Sequence, residues 1–240
     1  MQFYGLARTA IAAGILFAGI AIIDAYAQSP QPGGAQPSQR VWKPGEVHAG
    51  NTRIYVHVFK TGMGHEHAVV GMVKEGVIHL GAAQNAGRVV ADLTSFVADS
   101  AFARKALGFS DESDPDTQKK VTGNMLGPDV LDVVKFPTAT VIITSARLLQ
   151  QPSTKGLPQY LLEGDLTLRG VTKKMSVVAE TTEQNGWVRL SGHVSLRQSD
   201  FGMQPYTAML GAIGVADQLE IYGEGYLVKE NNIPPPVVAR

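Results

Sequence analysis

From residue 53 onward, apolar and polar positions alternate in short runs, the period of a β-strand. The first run, residues 53–60, sets Ile54, Val56 and Val58 on one face and Tyr55, His57 and Phe59 on the other. Both faces are partly apolar, as in a barrel with a filled interior and some packing outside. Further strands are predicted over 69–73 and 76–80, as a hairpin about Lys74-Glu75, and over 88–96. The remainder are 139–149, 159–168, 171–182, 187–196 and 218–228. Turn signals stand at Gly164-Asp165, Gly170 and Asn185-Gly186. Many short strands with such punctuation predict an all-β protein, an antiparallel barrel or sandwich.

One stretch breaks the two-residue period. Asp114-Pro115-Asp116 supplies an N-cap, a proline at the first helical position and an acidic first turn. Val121, Met125 and Leu126 follow at helical spacing, and Gly127-Pro128 ends the helix. A shorter turn over 129–134 is closed by Phe136-Pro137. The barrel is therefore expected to carry a short helical insert near residues 99–135.

The ends of the chain follow other patterns. Arg8, the apolar run over 10–23 and Ala25-Tyr26-Ala27 form a secretory leader over residues 1–27, cut near Ala27. The run is shorter than the roughly 20 residues of a membrane span, although an uncleaved N-terminal anchor is the alternative. QSPQPGGAQPSQ opens a linker over residues 28–40 with no apolar pattern. NNIPPPVVAR, residues 231–240, reads as a loose tail. The folding domain is then 41–230, and the leader places the protein in the periplasm or outside the cell.

Composition narrows the function. Lys plus Arg and Asp plus Glu each number 21, so the chain is neutral and has no basic stripe for nucleic acid. There is no cysteine, which excludes thiol redox chemistry, thiolate metal sites and a lipid-modified leader. No serine stands in a nucleophile elbow, and residues 81–87 lack the lysine of a phosphate loop. Asp111, Glu112, Asp114 and Asp116 read as a solvated helix start. No catalytic residue is therefore assigned, and no cofactor is expected.

Two chemistries stay open. In Gly64-His65-Glu66-His67 the two imidazoles share a face if the backbone is extended. With His57 or His79 as a third ligand they would form a metal site, and a metal-dependent activity. The other reading is a rim loop of locally bonded histidines. Apolar binding is the second chemistry. Met63, Met72, Met125, Met175, Met203 and Met209 are adaptable side chains that suit a cavity for a flexible chain, or equally an ordinary core.

LTLRGVTKK, residues 166–174, LRQSDFGM, residues 196–203, and KFPTATVIITSA, residues 135–146, together resemble the YceI-like family. The likeness runs over about residues 53–228. It implies an exported, lipocalin-like barrel with a helical insert that binds a long isoprenoid lipid, a polyprenyl phosphate or quinone-like molecule. His67 and Gly71 fall where the family has a histidine and glycines, which implies a ligand role for His67. Arg169 and Arg197 lie in the family-like segments and are candidates to meet a polar head group. Arg197 could instead pair with Asp200 to fix the turn before Phe201-Gly202. A homodimer through an exposed strand edge is the partner state expected if the barrel is not closed.

Overall fold

The computed structural model describes residues 40–230. The leader, the linker but for Arg40, and the tail lie outside the described residues. The elements run β1 (Arg53–Gly62), β2 (His67–Ile78), β3 (Gly87–Ala98), α1 (Ala101–Ala106), α2 (Pro115–Leu126), β4 (Thr138–Leu148) and β5 (Gln159–Leu168). There follow β6 (Val171–Gln184), β7 (Trp187–Arg197), the two-residue β8 (Thr207–Ala208) and β9 (Ile213–Val228).

All pairings are antiparallel between chain neighbours, except that β7 pairs with β9, and β9 returns to pair with β1. The eight long strands therefore form a closed barrel with a helical insert, the barrel of the two architectures that the alternation allows. Closure removes the free end of the sheet on which the expected homodimer rested. Only β8, paired with β9 alone, is left at an edge.

Two predicted turns are not turns. Lys74-Glu75 lies inside a continuous β2, where the β2–β3 register slips between Val73 and Glu75. A bulge absorbs the local polarity without reversing the chain. Gly164-Asp165 lies in the middle of β5. Gly164 is needed there for close approach: a Cβ at that position would come within 2.1 Å of the Ile142 carbonyl oxygen on β4. Arg169-Gly170 and Asn185-Gly186 do form hairpin turns, each pair at positive φ. Asp114 caps α2 through its side chain, accepting from the Asp116 and Thr117 amides.

The barrel has two packed ends. At one, Val47, Val73, Ile78, Leu80, Tyr160, Val188 and Leu227 form a buried cluster. Val47 reaches it because residues 45–52 fold across that end and bridge to β2 and β9. At the other, Leu93, Phe96, Leu131, Phe201 and Met203 are buried beneath the helical insert, with Val121, Met125 and Leu126 packed on them. Here α2 covers the part of β3 that leaves β4, and the Ala98 amide donates to Thr122 Oγ1 at 3.0 Å.

Candidate functional site

Alternate residues of eight strands point inward, and between the two packed ends they do not fill the barrel. An interior cavity of about 210 Å³ lies against Ile54, Val56, Leu93, Ala139, Leu166 and Ile221, among others. A second lobe of about 200 Å³ shares Val89, Val141, Met175, Val194 and Ile221 with it. Gln198 is the one polar side chain lining the first lobe, and its Nε2 donates to the Ala216 carbonyl at 2.8 Å. Three of the singled-out methionines, Met125, Met175 and Met203, line that lobe. A filled interior would have left only core packing. The unfilled lobes instead give an apolar molecule a place to leave water, at roughly 25 cal/mol per Å² buried.

The histidine cluster builds something else. His67 opens β2, and its Nδ1 lies 2.6 Å from Asp99 Oδ2. The same carboxylate accepts from the Ala68 amide at 3.0 Å and from Arg104 of α1 at 2.8 Å. The Asp99 and Arg104 side chains are only 1% and 5% exposed. Arg104 also donates to the Asp111 and Glu66 carbonyls and pairs with the Asp111 carboxylate. Its guanidinium lies 4.7 Å over the Phe109 ring. Burial pushes the Asp99 carboxyl up, but hydrogen bonds from His67, Ala68 and Arg104 outweigh it and hold it below its ordinary value.

His57 meets Glu66 at 2.8 Å, and His65 is exposed. His65 and His67 do not converge with a third ligand, and among the described residues no three His, Asp or Glu side chains are grouped to hold a metal. Nothing in the sequence pattern marked Asp99 and Arg104 as a buried pair. A left-handed backbone at Asp99, φ 54°, turns the chain from β3 into α1 and brings them together.

Arg169 sits in the β5–β6 turn and donates to three backbone carbonyls, of Pro128, Asp129 and Gly202, at 3.2 Å or less. It ties the insert and the turn after β7 to the barrel. Arg197 is exposed at the end of β7. Asp200 does not pair with it: the cation beside Asp200 is Lys173, at 3.9 Å.

No curated protein sequence matches the chain. Among solved structures it is similar to Burkholderia cenocepacia BcnA, at 17% identity over 76% of this chain and 99% of that one, with a TM-score of 0.48. A polyisoprenoid binding domain from Saccharophagus degradans is similar at 12% identity, over 78% and 99% of the two chains, with a TM-score of 0.48. The Campylobacter jejuni YCEI protein is similar at 15% identity, over 67% and 85%, with a TM-score of 0.44. The sequence model of the YceI-like domain matches residues 46–224, nearly all of the barrel. On that match the chain belongs to the YceI-like family.

Proposed function

We propose that the protein is an exported, non-catalytic carrier that holds the tail of a long isoprenoid lipid inside its barrel. The carrying observation is the two-lobed interior whose main lobe presents a single polar side chain, Gln198. Burial of hydrocarbon supplies about 0.8 kcal/mol per methylene, so a five-carbon unit contributes about 3–4 kcal/mol with no reacting group. The lipid is a polyprenyl phosphate or a quinone-like molecule. The leader over residues 1–27 directs the chain to the periplasm or beyond. Of the three candidate head-group residues, His67 and Arg169 hold the rim together, and Arg197 is the cation that stands in solvent.

The test is equilibrium binding of prenols of increasing length to the purified mature chain. Affinity rises by about a hundredfold or more per added unit until the lobes are filled, then levels off. A flat dependence on length contradicts the reading.

A further inference from the structure

The barrel wall is not sealed evenly. β5 pairs with β6, and β7 with β9, along the full length of β5 and of β7. Between them, β6 and β7 pair only over residues 179–184 and 187–192. Residues 171–178 of β6 and 193–197 of β7 have no ladder between them among the described residues. The β3–β4 seam also stops short, after Asp92. There, however, the Leu93 amide donates to the Pro137 carbonyl and α2 covers the rest. At the end of the β6–β7 gap Arg169 donates to the Gly202 carbonyl at 2.6 Å, and across the gap itself the polar contact is the half-exposed Lys173–Asp200 pair at 3.9 Å. Such a pair adds little stability.

The gap lies where inside and outside meet. An open groove of about 950 Å³, lined about equally by polar and apolar surface, runs along the outer face of the wall. Gly192, His193 and Gly223 line both that groove and the second interior lobe. Gly223 lines the main lobe as well. Gly192 and Gly223 are register partners, so two adjacent strands lack side chains at one level. A Cβ on Gly223 would meet no atom within 4 Å, so the space beside it is open. Buried clusters lie toward both ends of the barrel, about Val47 and beneath the helical insert. Opening this seam breaks no backbone hydrogen bond among the described residues, so it is the part of the wall that yields most readily to a lipid tail.

We infer that the unladdered β6–β7 seam is the lateral passage by which a lipid tail enters and leaves the barrel. This rests on the carrier reading above. The tail passes between residues 171–178 of β6 and 193–197 of β7 into the second lobe, beside Val177 and Val194, while the head group stays in the outer groove near Ser191, His193 and Tyr222. Lys173 and Asp200 form a weak latch at the wide end of the seam.

The chain has no cysteine, so Val177→Cys with Val194→Cys introduces one disulfide across the seam. Each position stands two residues beyond the last rung, Ala179 opposite Gly192, and both line the second lobe. The assay is stopped-flow uptake and release of a fluorescent prenol by the mature chain, oxidised against reduced. Oxidation slows both rates by roughly tenfold or more, and reduction restores them. In the control pair Thr140→Cys with Thr167→Cys, register partners across the laddered β4–β5 seam, oxidation and reduction give the same rates. His193→Trp, at the first unpaired position of β7, needs no disulfide and slows exchange in the same direction by narrowing the outer mouth of the seam. Equal rates in the oxidised and reduced seam variant overturn the passage and leave the carrier standing. If that pair does not oxidise, an unchanged rate in His193→Trp overturns it equally. A protein that takes up no prenol in any form overturns the carrier reading, and the passage with it.

Discussion

Replacing Asp99 by alanine tests the claim that the His67 cluster is a structural clamp and not a binding site. The carboxylate is 1% exposed and serves three donors: His67, the Ala68 amide and Arg104. Its loss leaves the Ala68 amide buried without its acceptor, at a cost of about 1–3 kcal/mol. It also removes one partner of a buried ion pair, which costs about 3–5 kcal/mol when the remaining charge is stranded. Arg104 keeps its contacts to Asp111 and to two carbonyls, so it is not stranded. The lower part of the combined range, about 3 kcal/mol, is therefore expected. For a domain of this size that lowers Tm by about 6–12 °C. Urea unfolding followed by circular dichroism measures the change, with His67→Ala and the double variant completing a cycle. Coupling of about 1 kcal/mol or more between His67 and Asp99 is expected. A loss under about 1 kcal/mol for Asp99→Ala, with no coupling, would refute the clamp. The sign with pH is also fixed. The folded carboxyl lies below its ordinary value of 3.8. Its contribution is complete above that value and is lost as pH falls through the folded value beneath it.

Further outcomes follow from the same geometry. Ala91→Phe, on a wall position of the main lobe, costs about 1–3 kcal/mol of stability and lowers prenol affinity by roughly tenfold or more; full affinity in a folded variant would count against the cavity. Arg169→Ala loses about 1–2 kcal/mol in urea unfolding and Arg169→Lys does not restore it, because three carbonyls need a fork of donors. His65→Ala with His67→Ala leaves zinc titration by calorimetry unchanged, whereas loss of a stoichiometric site would revive the metal reading. Intact mass of the protein recovered from the periplasm or medium gives a chain starting at Gln28; a chain retaining residues 1–27 would support the uncleaved anchor.

The strands were legible because their residues obey a period that burial enforces. Ile54, Val56 and Val58 face the interior on β1, as their spacing predicts, and all three line the cavity and pack in the core cluster. The α2 cap was equally legible, since Asp114 and Pro115 act within one turn of chain. Misreadings arose where a local signal had a non-local cause. Gly164 looks like a turn residue, yet it is glycine because the β4 backbone runs against it. Lys74-Glu75 looks like a hairpin tip, yet the strand continues through a bulge. The histidines suggested a ligand set, but His67 meets Asp99, which lies 32 residues away. No spacing rule relates positions joined only by the fold. The cavity was hidden for the same reason: each lining residue reads as ordinary core, and only the barrel's closure shows that they do not meet.

The central claim is that the barrel holds an isoprenoid tail. The most direct measurement is mass spectrometry of an organic extract of the protein, purified natively from a lysate that still contains its membranes. The account predicts one prenyl lipid per chain. An extract without prenyl lipid, unchanged after incubation with prenols and prenyl phosphates, would contradict it.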